Sequence, residues 1–371
     1  MRIAHVSDVA LPRVGGIEMH IAGLADRQRA AGHDVEVVTA FDGNGRPWQR
    51  ARPSAIARTS DVVRAGAFDV VHVHSSLFSP LALGVAASSS RAGLPTVVTA
   101  HSLVSRYEPV LRGLDALTRW TRWPVAWTAV SELAAAPLRR LVGDGTAVSV
   151  LPNATDLDRW RVSPTPRDPE CVVVASVLRL AARKRPMALV RALRLARASV
   201  PGNIALHAVV VGDGPQRGRL ERYCARHGMG KWVHFTGPLS HDAIRCLYRR
   251  ADLFVNPGVL ESFGIAALEA RAAGLPVVAM RDSGVTEFVA HGRSGLLVDS
   301  DPMLAGAIAT LASDANFRAR IAAYNRRVTP SFDWSSALER TERAYMRAAG
   351  VHETHRSRRA MRGIVTAKAQ S

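Results

Sequence analysis

Two glutamates, Glu261 and Glu269, stand eight residues apart, with Phe263-Gly264-Ile265 between them. The apolar run 253–255 before them reads as a buried strand. Residues 265–273 lack Gly and Pro and read as a helix. Glu261 therefore falls on a strand-to-helix loop, and Glu269 falls within the helix, where it can face the same crevice. The first backbone N–H groups of that helix, near Gly264 and Ile265, have no acceptor within the helix, and such amides bind phosphate. A carboxylate in the loop, amides for a diphosphate and a second carboxylate beyond suit a nucleotide-sugar site. Most glutamate pairs are solvated surface residues. The Phe263-Gly264 step and the downstream turn Gly274-Leu275-Pro276 set this pair apart.

Other residues with chemistry follow strands. Arg179, in Ser176-Val177-Leu178-Arg179, and Lys184 come after the apolar run 171–175. Two cations there can neutralise a departing diphosphate, a role otherwise given to a metal, and each well-placed group is worth roughly 3 kcal/mol. A solvated basic loop is the plainer alternative. Val14-Gly15-Gly16-Ile17-Glu18 joins the first strand to the first helix, and its glycines allow close backbone approach. It is not G-x-G-x-x-G, which argues against a dinucleotide enzyme. His101 follows the strand 96–100, while His72, His74, Ser75 and Ser76 end the strand before it. Val211-Gly212-Asp213-Gly214-Pro215 closes another strand with a glycine turn. Asp156-Leu157-Asp158 spells D-x-D but sits at a domain junction and reads as structural.

Taken in order, these motifs resemble retaining glycosyltransferases of the GT-B fold, family 4, over nearly the whole chain. Glu261 and Glu269 match the E-x7-E motif. Arg179 and Lys184 match the family's Gly-Arg-Leu and Lys-Gly, with Leu178 and Arg185 in place of the two glycines. Gly212-Asp213-Gly214-Pro215 matches Gly-x-Gly-Pro, and Pro152-Asn153-Ala154-Thr155-Asp156 resembles Pro-Asn-Gly-Val-Asp. Gly284-Val285-Thr286-Glu287 resembles a donor-side loop. The resemblance implies that His101, Glu261, Arg179 and Lys184 are catalytic. It implies that Gly16, Gly214, Phe263, Gly264, Ile265 and Glu269 bind the donor, with Glu269 on the ribose. Gly15, His74 and Ser75 are expected on the acceptor side. The implied reaction moves a hexose, GlcNAc or mannose, from a UDP- or GDP-sugar to a hydroxyl of a lipid or small glycoside, with retention and without a metal. The local wording is most similar to members that glycosylate phosphatidylinositol. A GT-B sugar-nucleotide epimerase is the rival enzyme, but the first half offers no second convincing carboxylate pair.

The elements that position these residues are those of an α/β protein. The expectation is two Rossmann-like doubly wound domains facing a cleft, with ligands outside the strand C-termini. The boundaries expected are 1–160 for acceptor binding, 161–331 for the nucleotide-sugar, a helix 332–350 crossing back to the first domain, and a basic disordered tail 351–371. The turn 12–16 and the polar loop 41–53 punctuate the first domain, and 159–169 reads as a linker. Trp334 and Tyr345 are expected to pack the crossing helix. The formal charge is +18, almost all of it from Arg. That charge attracts anions. A nucleic-acid-binding protein would cluster it on one helix, whereas here it is spread over both halves. Three scattered Cys and no long apolar run fit a cytoplasmic chain without a spanning helix. Across 103–124, Tyr107, Trp120 and Trp123 alternate with Arg106, Arg112, Arg119 and Arg122. That pattern suits peripheral contact with an anionic membrane through inserted Trp, or core-facing aromatics with a basic outer face.

Overall fold

The computed structural model describes residues 1–8, 15–39, 53–76, 79–166 and 168–368, with side chains of the last helix described to residue 357. The expected turn 12–16 is thus described only from Gly15, and the expected loop 41–53 lies outside the described residues up to 52. The chain divides into two compact units, Met1–Ala154 with Trp334–Ser371, and Thr155–Asp333.

The first unit alternates strands and helices: β1 (Arg2–Ser7), α1 (Gly16–Ala30), β2 (Asp34–Val38), α2 (Pro53–Ala65), β3 (Val70–Ser75), α3 (Pro80–Arg91), β4 (Thr96–Ala100), α4 (Glu108–Thr118), β5 (Ala126–Ala129), α5 (Glu132–Val142) and β6 (Val148–Val150). The second contains α6 (Leu157–Trp160), β7 (Cys171–Val177), α7 (Pro186–Ser199), β8 (Ala205–Val211), α8 (Arg217–Arg226), β9 (Val233–Gly237), α9 (His241–Tyr248), β10 (Leu253–Asn256), α10 (Ile265–Ala272), β11 (Val277–Met280), β12 (Gly295–Val298), α11 (Asp301–Ser313) and α12 (Ala315–Arg327). A final helix, α13 (Trp334–Lys368), joins the first unit. Each unit holds one six-stranded sheet, in orders β2-β1-β3-β4-β5-β6 and β12-β11-β10-β7-β8-β9. The strand pairs are parallel, so helices cover both faces and the strands read as apolar runs.

The expected boundary at 160 lies close to the division into compact units before Thr155, which puts α6 in the second unit. Trp160 is 2% exposed and its ring lies 5.7 Å from both His241 and Tyr248. Arg159 pairs with Asp242 at 3.1 Å, and the supposed linker is pinned where Thr165 N–H donates to the Arg249 carbonyl at 2.8 Å. The tail expected to be disordered continues α13 to Lys368. It holds no Pro, and its Ala, Arg and Met favour helix. Trp334 begins α13 against α1: its ring stacks on His20 at 5.4 Å, and a Cβ at Gly23 would lie 2.7 Å from it.

Segment 103–124 is also corrected in part. Trp120 is 8% exposed, meets Trp127 edge-on at 5.2 Å and donates its indole N–H to the Leu111 carbonyl at 3.2 Å. It belongs to the core and is not available for insertion. The outward apolar groups are on α4, which buries none of its residues. Val110, Leu114 and Leu117 are 69%, 42% and 85% exposed at a spacing that shares one helix face.

Candidate active site

The second unit gathers its predicted residues on three interlocked loops after β7, β8 and β10. Lys184 Nζ donates to Glu261 Oε2 at 2.6 Å, with the two side chains 30% and 14% exposed. Gly264 caps α10 in the left-handed region at φ +91, and a Cβ there would lie 2.8 Å from Val285. Another residue would strain the turn that aims the first α10 amides. Gly284 N–H donates to the Glu261 carbonyl at 2.7 Å, which ties the 284–287 turn to the Glu261 loop. Arg179 is exposed and, among the described residues, forms no ion pair.

The departures from the family pattern have a local account. Arg185 takes φ +54, the conformation that Gly would favour there. It is held by two hydrogen bonds to Asp301, at 2.6 and 2.8 Å, and one to the Pro257 carbonyl at 3.0 Å. The Arg185 guanidinium is therefore a clamp between loops. Gly214 is likewise an architectural residue. A Cβ there would lie 2.7 Å from the Leu180 carbonyl, and one at Gly212 would lie 2.1 Å from the Leu178 oxygen, so the loops after β7 and β8 nest only with glycine.

Two donor-side expectations change. Phe263 is 1% exposed, with its ring 5.4 Å from Phe288 and from Phe332. Its side chain belongs to an aromatic core, so only its backbone is left for a ligand. Ile265 keeps its place as the first residue of α10. Glu269 is 8% exposed, and burial pushes its carboxyl up to about 8, against a smaller opposing pull from Arg159. At neutral pH without ligand this group is mostly protonated, because a carboxylate away from water is costly.

In the first unit the predicted histidines form a buried hydrogen-bonded chain. His101 N–H is held by the Ser75 carbonyl at 2.8 Å. His101 Nε2 lies 3.0 Å from His74 Nδ1, and His74 Nε2 lies 2.8 Å from His5 Nδ1. His5 Nε2 meets Gln28 Oε1 at 2.6 Å, and Gln28 Nε2 donates to the Tyr345 hydroxyl at 2.9 Å. The hydroxyl meets His72 Nδ1 at 3.1 Å, and His72 Nε2 meets Thr99 at 2.8 Å. Thr99 meets Thr128 at 2.6 Å, and Thr128 donates to the Val98 carbonyl at 3.2 Å.

That last carbonyl only accepts, so it fixes the direction of every bond before it. Thr99 donates to Thr128, His72 Nε2–H to Thr99, and the Tyr345 hydroxyl to His72 Nδ1. Gln28 accepts from His5 Nε2–H, His5 Nδ1 from His74 Nε2–H, and His74 Nδ1 from His101 Nε2–H. His101 is left with Nδ1 as its acceptor nitrogen. Every ring is neutral. Burial pulls His5 and His101 down to about 4 and His20 to about 3, and holds His72 and His74 well below the usual range. His5, His72 and His74 lie close enough to surround a metal, but all six of their ring nitrogens are already in these bonds.

His74 was expected to touch the acceptor. Both its nitrogens serve the chain and it is 2% exposed, so it positions His101 and does not face a ligand. Gly16 opens α1, and the space a Cβ would fill at Gly15 is taken by the Glu18 carboxylate, 2.4 Å from it. Sequence reasoning missed Gln28, the hydrogen bonds of Tyr345 beyond its packing, and the clamp formed by Arg185. The one available signal for the chain was alternation of His72 and His74 on a buried strand, in register with His5 and Ser7.

Comparison with known proteins is consistent across both units. Residues 14–159 match the model "Glycosyltransferase Family 4", and residues 161–328 match "Glycosyl transferases group 1". The D-inositol 3-phosphate glycosyltransferase of Acidothermus cellulolyticus is 30% identical over 97% of this chain and 92% of its own. The phosphatidylinositol N-acetylglucosaminyltransferase gpi3 subunit of Schizosaccharomyces pombe is 25% identical over 92% of this chain and 79% of its own. Among solved structures, Anabaena Alr3699/HepE in complex with UDP superposes with a TM-score of 0.74 at 22% identity, covering 92% of this chain and 99% of that one. The fold is GT-B.

Proposed function

We propose that this chain, which belongs to the group 1, family 4 glycosyltransferases, transfers a hexose, GlcNAc or mannose, with retention from a UDP- or GDP-sugar to a hydroxyl acceptor. The observation that carries the reading is the Lys184–Glu261 pair beside the first amides of α10, with Glu269 further along the same helix. The donor diphosphate takes the α10 amides and the Lys184 ammonium, with Arg179 as the second cation. Its arrival releases Glu261 from Lys184, and Glu261 then accepts from a sugar hydroxyl. Glu269 accepts from the ribose hydroxyls. Those bonds favour its charged form, so nucleotide binding expels the proton that burial holds there.

His101 offers Nδ1 to another sugar hydroxyl. The acceptor oxygen attacks C1 on the face that the diphosphate leaves, and its proton passes to the departing phosphate oxygen. The C1–O bond to phosphate breaks as the new one forms. Lys184 and Arg179 stabilise the charge on the leaving group, and the reaction proceeds without a divalent metal. The names of the two relatives share a phosphorylated inositol, which supports an inositol phosphate as the first acceptor to test. Transfer measured in excess EDTA with UDP- and GDP-sugars tests the reading. Product of retained anomeric configuration is expected. Loss of all transfer in EDTA, restored by Mg or Mn, would overturn the mechanism.

We further propose a peripheral, cytoplasmic-face membrane contact through α4, with Val110, Leu114 and Leu117 as the inserting groups. No helix among the described residues is long and apolar enough to cross a membrane. Binding to anionic vesicles that falls with salt and with Leu117→Gln supports this contact. Equal binding by that variant removes it.

A further inference from the structure

We infer that a basic cavity at the opposite edge of the first unit's sheet is a binding site for a phosphate-bearing anion. The cavity encloses about 610 Å³, the size of a small-ligand pocket. Arg91, Arg119, Arg122 and Arg356 line it with His352 and His355, and no acidic residue does. Its place separates it from the candidate active site. Residues 90–93 precede the start of β4 and residues 118–124 precede the start of β5. His101 and Ser75 stand at the other ends of the strands.

Several features show that the cavity is built. Arg119 holds φ +50, a left-handed conformation that a residue with a side chain adopts at some cost, and it is fixed there as the C-cap of α4. Asp115, the carboxylate of that turn, is occupied: it accepts from the Thr121 N–H and the Thr121 hydroxyl, both at 2.9 Å. It does not neutralise the arginines. Among the described residues, none of the four forms an ion pair. Gly93, at φ +86, lets the His352 imidazole approach: a Cβ there would lie 3.2 Å from it. Trp123 forms part of the wall, and its buried indole N–H has no acceptor among the described residues.

Four arginines lining one space offer like charge and N–H donors, which an anion with several oxygens can offset and accept. Phosphate mono- and diesters have that chemistry. The source is either a soluble phosphate ester or an acidic lipid headgroup. The lipid source agrees with Leu117, which is 85% exposed and adjoins the Thr118 wall.

The test uses the full chain and two double variants, Arg119→Gln/Arg356→Gln in the cavity and Arg222→Gln/Arg226→Gln on α8. Both remove the same charge. The probes are glycerol 3-phosphate by calorimetry, and phosphatidylcholine vesicles with or without phosphatidic acid by cosedimentation. The cavity variant should weaken binding about tenfold or more, while the α8 variant binds like wild type. Arg91→Gln, at another exposed wall residue, should weaken it in the same direction. Binding of free glycerol 3-phosphate identifies a soluble ligand, and binding only to acidic vesicles identifies a headgroup. Two results overturn the inference: wild type that binds neither probe, or equal loss in both double variants. Nucleotide binding, measured in parallel, should be unchanged in the cavity variant, so failure here is distinguishable from failure of the transferase reading.

Discussion

Where the first unit sets His5 on β1 and His72 and His74 on β3, the second sets Val172 and Val174 on β7 and Leu253 and Val255 on β10. Both sheets have six strands and helices on both faces. One interior nevertheless holds a chain of neutral bases, and the other is largely aliphatic, with isolated buried polar groups such as Ser176, Glu269, Arg271 and Asn325. A buried polar array must be satisfied at every atom, so it fixes tautomers and ring positions. A set of loops nested on glycines can instead exchange partners, as the proposed donor binding requires of the Lys184–Glu261 pair. The first unit is thus organised to hold one nitrogen still, and the second to trade a bond.

The contrast is sharpest in acid. The unfolded histidines take up protons below about pH 6.5, while His5 and His101 resist until about 4 and His20 until about 3. The folded first unit binds fewer protons over that window, so its stability falls as pH falls, by several kcal/mol at most once the sites are coupled. Glu269 has the opposite sign. Hydrogen exchange followed from about pH 7 to about pH 4.5 should show the β1 and β3 amides losing protection before those of β7 and β10. Simultaneous loss, or loss in the second unit first, breaks the comparison.

The next largest effect is catalytic. Lys184→Ala should lower transfer by about 10²–10³ while the unit stays folded, since one transition-state cation is lost. Arg185→Ala should act differently, lowering the melting temperature by opening the clamp to Asp301. Similar kinetic and thermal profiles for the two would deny the distinction drawn between them.

Glu269 supplies a smaller effect. Its folded value of about 8 exceeds its ordinary 4.5, so the folded unit retains a proton that the unfolded chain has released. Stability from this group is present below about 4.5 and lost as pH rises toward 8. Glu269→Gln removes that loss. The variant should be more stable than wild type near pH 8, by a few kcal/mol at most, and no more stable near pH 4. Thermal melts across pH decide this, and a gain independent of pH would contradict it.

The smallest effect is a single hydroxyl. Tyr345→Phe removes the link between Gln28 and His72 and should cost about 1–3 kcal/mol, with nucleotide affinity unchanged. A change in nucleotide affinity would show that the array serves more than His101.

The loops of the second unit were legible because their residues lie close in sequence. Glu261, Gly264 and Glu269 share one strand-to-helix connection, and apolar periodicity locates it. The histidine chain was not legible, because its members come from six strands or helices and the loop after β4, and meet only when the sheet forms. Gln28 and Tyr345 are 317 residues apart. His74 read as a ligand contact because strand ends in such sheets face ligands, and nothing in the sequence showed that His5 would consume its second nitrogen. Phe263 read as a donor contact for its glycine neighbour, while its aromatic partners, Phe288 and Phe332, lie far along the chain. Arg185 read only as a replaced glycine, and only the position of Asp301 shows how the turn is held.

In the proposed reaction the second unit binds the nucleotide of a sugar donor through α10. Calorimetry of UDP and GDP with wild type and Glu269→Ala, in buffers of different ionisation enthalpy, tests it most directly. One nucleotide should bind wild type with proton release, and the folded variant should lose that release together with roughly 1.5–3 kcal/mol of affinity. A folded wild type that binds neither nucleotide, or a variant that binds as tightly as wild type, would contradict the account.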